Sequence, residues 1–282
     1  MKKNAYEEST IKATAKRLRH LERNCDLSNS EEVKLFIANK KCTNGFKETL
    51  IEVYAIFVRS IGQTWNQPFY NRYDRAIKIP TEEKVNMLIS NASPKMALIL
   101  AMSKDLGTRP IELTWLTVSD INMQNRTVSI TGAKHTSGGT GKIKEATLDM
   151  LKHYINEKRL NANDRLFPVM SKTLSEEYRT MRNRLAKKLQ DPTFKTIRLY
   201  DFRHFKASVV YHQTNSFMHV KEILRHKDLR TTMRYIHLFG NIEGDEFHCS
   251  VAKNIQEATN LIENGFEYVT EMDSIKIFRK RK

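Results

Sequence analysis

Four short segments of the chain concentrate side chains that can bind anions, transfer protons or attack a substrate. They are Gly107–Leu113, the surroundings of Lys134, Leu199–His204 and Leu224–His237. Arginine is permanently charged, lysine and histidine exchange protons, and tyrosine carries a nucleophilic hydroxyl. Each residue also has an ordinary interpretation by itself, because arginines cap helix carbonyls, hairpin lysines are solvated, and buried histidines and tyrosines satisfy internal hydrogen bonds. The order of the segments therefore matters more than any one of them.

The charge of the chain favours a polyanionic partner. Lys and Arg number 48 against 32 Asp and Glu, which gives a net charge of +16 over 282 residues. Residues 1–80 contribute +6, and the densest basic block is 179–206, with nine basic side chains and two acidic ones. Nucleic acid is the first candidate and an anionic membrane surface the second, while a role in solubility alone is the alternative.

Other sequence features exclude several classes of protein. The basic N-terminus is followed by no apolar run, and no stretch approaches the roughly 18 apolar residues of a membrane span. The three cysteines, Cys25, Cys42 and Cys249, are far apart and form no C-x-x-C pair. We therefore expect a soluble intracellular protein without a disulfide framework or a cysteine-rich zinc module.

The hydrophobic periodicity predicts a mainly α-helical chain with a small β-hairpin (α+β). Apolar residues recur at helical spacing in 10–24 and 46–61, and a helix start is expected at 28–32. The Gln67-Pro68 and Ile79-Pro80 steps disfavour helix, so a linker is expected between them. This gives a helical domain at residues 1–78 and a second domain at 79–282.

The second domain is expected to hold an apolar helix, a hairpin and a separate C-terminal segment. The helix spans 95–106 and ends at Gly107. The hairpin strands are predicted at 127–131 and 143–148, around a Gly-rich tip at 135–141, with helices from Leu148 onward. The C-terminal segment, about 251–282, is predicted to form one helix at 251–262 and a strand pair after Gly265.

Taken in order, the four segments resemble the catalytic signature of the tyrosine recombinases, the phage-integrase family of site-specific DNA recombinases. The resemblance covers about residues 80–238 and is carried by Arg-x-x-Glu-Leu, a hairpin lysine, x-x-Arg-His, Leu-x-His-x-Asp-Leu-x-Thr-Thr and Tyr-x-His. His226 precedes Tyr235 by nine residues and Arg203 precedes it by 32, both typical of the family. The C-terminal stretch is similar to that of archaeal-type integrases. Residues 1–78 match the family's core-binding (SAM-like) domain in position and character only, and the two domains together would form a DNA clamp.

The resemblance implies a role for each residue. Tyr235 would be the nucleophile that forms a 3′-phosphotyrosine and releases a 5′-hydroxyl. Arg109 and Arg203 would bind the non-bridging phosphate oxygens. Lys134 would protonate the departing oxygen, with Lys142 as the alternative. His226 would hydrogen-bond a phosphate oxygen or position Tyr235, and Glu112 would be a supporting residue. The resemblance implies no metal ion and no cofactor.

Two positions depart from the family pattern. Tyr200 stands where a histidine is usual, three residues before Arg203. A phenol can donate a hydrogen bond to phosphate but is neither a cation nor a base near neutral pH. Arg225 stands where a glycine is common, and the sequence leaves open whether it contacts DNA or solvent.

The activity implied is site-specific cutting and rejoining of duplex DNA, in integration or excision of a mobile element or in resolution of replicon dimers. A type IB topoisomerase-like enzyme, which relaxes DNA, and a non-catalytic DNA-binding relative are the alternatives. The expected partners are double-stranded DNA carrying target sites and further copies of the chain, as a homo-tetramer on DNA and a monomer or dimer in its absence. The C-terminal segment would dock on a neighbouring protomer or close its own domain. A cytoplasmic, nucleoid-associated location follows from such a role.

Overall fold

The computed structural model describes residues 6–71, 77–133, 136–228, 231–232, 247–252, 254–272 and 275–281. The chain divides into two units, residues 1–76 and 77–282. The helical content and the small antiparallel sheet confirm the predicted fold class. Along the described part of the chain, no helix is both long enough and apolar enough to cross a bilayer.

The first unit contains three helices, α1 (Glu8–Glu22), α2 (Ser30–Asn39) and α3 (Asn44–Ser60). Asn29 begins α2 as its N-cap, because its side-chain oxygen accepts hydrogen bonds from the first free N–H groups, those of Glu31 and Glu32. The apolar faces of the three helices form one core, made of Leu21, Val33, Ile37, Leu50, Ile51, Tyr54 and Val58.

The second unit is organised around one buried helix, α5 (Pro94–Leu106), which packs against α4 (Glu82–Ser90), α7 (Glu145–Lys158) and α9 (Asp201–Thr214). Because α5 is covered on several sides, it is apolar almost all round. The described residues of this unit also contain α6 (Pro110–Leu113), α8 (Ser171–Lys188) and α10 (Phe217–Ile223).

A small antiparallel sheet in the order β1-β2-β3 lies between α6 and α7, with strands at Ile121–Asn122, Thr127–Ile130 and Gly139–Lys142. In the hairpin, Thr127 pairs with Lys142 and Ile130 with Gly139. The prediction of the second hairpin strand at 143–148 was wrong, since β3 ends at Lys142 and α7 begins at Glu145. The reason is the longer pattern: Leu148, Leu151 and Tyr154 recur every third residue and are buried on one side of α7.

The C-terminal segment contains a second three-stranded sheet, in the order β4-β6-β5, and one helix. The strands are β4 (Phe247–Ala252), β5 (Glu267–Met272) and β6 (Ile275–Arg281), and the helix is α11 (Ile255–Glu263). The strand pair after Gly265 is present, but the helix does not begin at Val251, which lies in β4. Strand β4 pairs with β6, which is distant in sequence, so no local pattern revealed it. Asn254 begins α11 instead, by accepting the Glu257 N–H at 2.9 Å.

One buried carboxylate joins the end of α5 to the start of α7. Asp105 accepts a hydrogen bond from the Lys144 N–H at 2.9 Å and another from the Thr147 hydroxyl at 2.7 Å. Both donors belong to the first turn of α7, where N–H groups have no partner within the helix. Asp105 therefore fixes the direction in which the chain leaves the hairpin.

We predict that Asp105→Ala lowers the free energy of unfolding by about 2 kcal/mol, because it leaves the partly buried N–H of Lys144 and the buried hydroxyl of Thr147 without their acceptor. Urea denaturation measures the difference. Asp149→Ala removes an exposed carboxylate from α7 and is the matched control, with an expected change within about 0.5 kcal/mol. Equal effects of the two substitutions would contradict the capping role of Asp105.

Candidate active site

A left-handed glycine ends α5 and turns the chain toward Arg109. Gly107 has a φ of +59°, and a Cβ at this position would lie 3.0 Å from Leu224 Cδ2. Only glycine avoids both the strain and the close contact. Pro110 then begins α6 with Arg109 as its N-cap residue. The side chain of Arg109 is 15% exposed, so this guanidinium can meet a bound anion.

The carboxylate of Glu112 is buried and contacts groups from three segments of the chain. Its Oε2 accepts the Arg109 N–H at 2.9 Å, while its Oε1 lies 3.3 Å from Arg109 Nη1. The same Oε1 accepts the Ala133 N–H, at 3.3 Å, from the loop between β2 and β3. On the other side Arg225 Nη2 lies 3.8 Å from Oε2. Glu112 thus contacts Arg109, the hairpin loop and Arg225 through one carboxylate.

Arg203, in the first turn of α9, is fully buried and connects two helix ends. Its Nη1 donates to the Gly107 carbonyl at 2.6 Å and its Nη2 to the Leu224 carbonyl at 2.5 Å. Burial, together with the nearby charge of Arg109, lowers the pKa of Arg203 to about 10. The side chain stays a cation at neutral pH, and its Nε has no hydrogen-bond partner among the described residues.

His226 lies beside the arginines as a neutral ring. It is buried, and its Nδ1 lies 2.9 Å from the hydroxyl oxygen of Thr232. Burial lowers the pKa of His226 to about 3, and the positive charges of Arg203, Arg109 and Arg225 act in the same direction. A neutral imidazole has one donor and one acceptor nitrogen. His226 therefore adds hydrogen-bonding capacity to the site without adding charge.

Tyr200 caps the start of α9 and is half-buried. Its ring meets His204 edge-on, with 5.1 Å between ring centroids. The neighbouring Asp201 accepts hydrogen bonds from the Arg198 N–H at 2.7 Å and from Arg198 Nη2 at 3.1 Å. These contacts fix the first turn of α9, which also carries Arg203, so Tyr200 lies at the edge of the cationic cluster.

The loop that contains Lys134 is held at the site from both sides. Lys134 itself lies outside the described residues. Ala133, before it, donates to Glu112, and Thr136, after it, accepts a hydrogen bond from Arg109 Nη1. Thr136 also forms an isolated antiparallel bridge with His226. One residue before the lysine, Ala133, and one after it, Thr136, therefore contact the cluster.

Lys142, the alternative hairpin lysine, is located differently. It is exposed at the end of β3 and pairs with Thr127 at the start of β2. Ile130, next to the loop, lies three residue steps further along β2 than that pair, which is about 10 Å of strand. Lys142 is thus at the base of the hairpin, whereas the contacts with Glu112 and Arg109 are at its tip.

Of the six residues implied by the resemblance, the structure describes Arg109, Tyr200, Arg203 and His226, and brings them together from segments far apart in sequence. Tyr235, like Lys134, lies outside the described residues. Sequence reasoning missed the contacts of Thr136 and Thr232, for which no local signal exists. The sequence left open whether Arg225 contacts DNA or solvent. In the structure its side chain is buried beside Glu112.

The cluster carries more positive charge than its own carboxylate can balance. Among the residues that the structure describes, the guanidinium groups of Arg109, Arg203 and Arg225 face one buried carboxylate, that of Glu112, while His226 is neutral. Cations removed from water are costly unless an anion accompanies them. The arrangement is therefore suited to a second anion, and a phosphate matches the donor geometry of guanidinium groups.

Comparisons with known proteins identify the family of this chain. The sequence pattern of the phage integrase family matches residues 79–241. The tyrosine recombinase XerA of Saccharolobus solfataricus is 27% identical over 197 residues, 68% of this chain and 64% of that protein. A probable integrase/recombinase of Methanocaldococcus jannaschii is 27% identical over 179 residues, 58% of this chain and 54% of that protein. The chain thus spans less than two thirds of the length of these two relatives.

A solved structure shares the fold. The Tn1549 transposon integrase, in complex with transposon right end DNA, superposes with a TM-score of 0.65 and 13% sequence identity over 93% of this chain and 95% of that one. The family pattern covers more than half of the chain and includes the segments of Arg109, Arg203 and His226. This chain belongs to the phage integrase family, the tyrosine recombinases.

Proposed function

We propose that this protein is a site-specific DNA recombinase that cuts and rejoins duplex DNA through a covalent 3′-phosphotyrosine on Tyr235. The observation that carries the proposal is the cluster of Arg109, Arg203 and His226 near the buried carboxylate of Glu112. A cluster with surplus positive charge stabilises the transition state of phosphoryl transfer, in which negative charge grows on the non-bridging oxygens. Membership in the phage integrase family supports the same activity.

The proposed chemistry is a reversible exchange of one phosphodiester bond for another. The Tyr235 hydroxyl gives its proton to solvent as its oxygen bonds to phosphorus. The bond from phosphorus to the 5′-oxygen breaks, and that oxygen takes up a proton and leaves as a 5′-hydroxyl. A free 5′-hydroxyl later attacks the phosphotyrosine in the same way and releases the tyrosine. Because the covalent intermediate retains the energy of the broken bond, the scheme needs neither a nucleotide nor a metal ion.

Lys134 is proposed as the acid that protonates the departing 5′-oxygen. The support is indirect: Ala133 and Thr136, which flank Lys134, contact Glu112 and Arg109, while Lys142 is exposed at the base of the hairpin. A lysine near two or more arginines gives up its proton readily, because neighbouring positive charge favours its neutral form. Tyr200 is proposed to donate a hydrogen bond to a phosphate oxygen where a histidine is usual.

The roles of the two domains and the partners of the protein are also proposed. Residues 1–78 would form the core-binding domain and residues 79–282 the catalytic domain, and both contribute to the surplus of basic residues that duplex DNA requires. The partners would be target-site DNA and three further copies of the chain, in a nucleoid-associated tetramer. Integration, excision and dimer resolution all use this chemistry.

The first prediction tests Tyr235. Duplexes selected by the protein from a random-sequence library, and then nicked near the cleavage point, should form a covalent adduct whose mapped residue is Tyr235. Tyr235→Phe should abolish the adduct and leave DNA binding unchanged, because only the nucleophilic oxygen is removed. Tyr268→Phe, at an exposed tyrosine of β5, is the control and should form adducts normally.

The same assay separates the alternatives. Adducts that persist in Tyr235→Phe would contradict the assignment of Tyr235 as the nucleophile. Wild-type protein that binds DNA but forms no adduct would indicate a non-catalytic DNA-binding relative. Relaxation of supercoiled DNA in the absence of strand exchange between two sites would indicate a topoisomerase-like activity.

The second prediction tests the acid. Lys134→Ala should slow cleavage by about 100-fold or more on an ordinary duplex, because the 5′-oxygen then leaves unprotonated. A duplex whose 5′-bridging oxygen is replaced by sulfur should restore the rate, since a thiolate leaves without a proton. Lys142→Ala is the matched control. The assignment of Lys134 fails if Lys142→Ala shows the loss and the sulfur rescue instead.

The third prediction tests the neutral state of His226. Since its pKa is lowered to about 3 in the folded state, the unfolded chain binds a proton there near pH 6.5 and the folded chain does not. This contribution to stability is therefore present above pH 6.5 and is lost as the pH falls toward 3. His226→Gln should make the free energy of unfolding less dependent on pH between these values, as measured by urea denaturation. His153→Gln, at an exposed site on α7, should keep the wild-type slope, and equal slopes in all three proteins would contradict the buried, neutral state.

A further inference from the structure

Arg225 occupies a backbone position that favours glycine. It follows α10 with a φ of +58°, in the left-handed region where a Cβ is strained and glycine is not. Its N–H donates to the Glu222 carbonyl at 2.9 Å, and the N–H of His226 donates to the Lys221 carbonyl at 2.9 Å. Glycine would close the helix in the same way, so the backbone gives no reason for an arginine here.

The side chain of Arg225 is directed into the site, not toward solvent. It is 5% exposed, and its Nη2 lies 3.8 Å from Glu112 Oε2. The guanidinium also donates to the Ile223 carbonyl at 3.1 Å and more distantly to the Leu106 carbonyl, at 3.4 Å. Burial lowers the pKa of Arg225, and Glu112 opposes that shift. The carboxylate is therefore the counter-charge that keeps this buried side chain a cation.

Arg225 also contacts the hairpin. Its carbonyl accepts the Ser137 N–H at 3.0 Å, and a Cβ at Gly139 would lie 3.2 Å from Arg225 Cδ. The backbone of β3 therefore lies directly against the aliphatic part of the arginine. Through these two contacts Arg225 determines where the tip of the hairpin lies relative to Glu112.

We propose that Arg225 is a positioning residue of the strand-cleavage site. Arg225 shares the Glu112 carboxylate with Arg109, and its side chain packs against the backbone of the hairpin strand β3. The proposal rests on the proposed function, in which Arg109 binds the reacting phosphate. Because Arg109 and Arg225 both lie near the one negative charge of Glu112, that charge does not fully neutralise Arg109, and Arg109 can still attract the phosphate. With Arg225 removed, Glu112 and Arg109 form a one-to-one pair, and the attraction of the site for an anion falls.

The backbone geometry makes Arg225→Gly an informative variant. Glycine relieves the strain at φ +58°, so we expect a melting temperature within about 3 °C of wild type. Binding of the selected duplex should change less than about threefold, because most phosphate contacts lie elsewhere on the basic surface. The rate of adduct formation in a single turnover should fall about tenfold or more, since Glu112 loses its second cation and β3 loses the packing of the arginine side chain, while the Ser137 hydrogen bond to the backbone remains. Arg225→Lys restores the charge without the planar fork and should recover part of that rate.

Arg159→Gly is the matched control. Arg159 also ends a helix, α7, in the left-handed region, with a φ of +52°, and it is exposed. The substitution removes the same charge and relieves the same backbone strain away from Glu112, so adduct formation should stay at the wild-type rate.

A second measurement tests, independently of catalysis, whether Arg225 contributes to anion binding. Inorganic phosphate, compared with chloride at equal ionic strength, should raise the melting temperature of the wild-type protein and of Arg159→Gly. Phosphate should raise the melting temperature of Arg225→Gly by a smaller amount. If wild-type protein forms no adduct, the proposed function fails, and this measurement still decides whether Arg225 sets the anion affinity of the cluster.

The proposal is overturned by wild-type adduct formation in Arg225→Gly, or by equal phosphate shifts in the three proteins. A large loss of thermal stability in Arg225→Gly also overturns it, because the side chain would then serve folding. A rate in Arg225→Lys no higher than in Arg225→Gly would exclude the charge as the relevant property.

Discussion

The buried carboxylate of Glu112 is the interaction on which the rest of the site depends. Three guanidinium groups lie within one small region, and cations cannot be taken out of water together unless an anion compensates them. Glu112 accepts from the main chain and the side chain of Arg109, from the hairpin at Ala133, and faces Arg225. Three segments that are distant in sequence are thus held by one charge, and the positive charge left over defines where a further anion binds.

Two helix ends provide the rest of the support. Gly107 and Leu224, at the C-terminal ends of α5 and α10, offer their carbonyls to Arg203. The C-terminal end of a helix carries partial negative charge and has unpaired carbonyls, so a buried guanidinium is stabilised there. Because α5 is packed on several sides, its last carbonyls are in fixed positions, and so is Arg203. Rigid helices therefore position side chains that belong to other segments.

Local patterns predicted the elements that depend on neighbouring residues. The apolar run before Gly107 predicted α5, and the helix start expected at 28–32 predicted α2, since capping and periodicity act within one turn. The prediction failed where pairing is non-local. The second hairpin strand was placed at 143–148 because a short alternating stretch was given more weight than the helical spacing of α7, and β4 was missed because its partner β6 is distant in the chain.

The sequence by itself determined the family, through the types and order of residues such as Arg109, Arg203 and His226, because these side chains have a chemistry that does not depend on the fold. Only the tertiary structure decided how these residues are charged and supported. The neutral state of His226 follows from burial among arginines, and the position of Arg225 beside Glu112 follows from a left-handed turn at the end of α10. Desolvation and charge coupling act between residues that meet only after folding, so no pattern along the chain contains them.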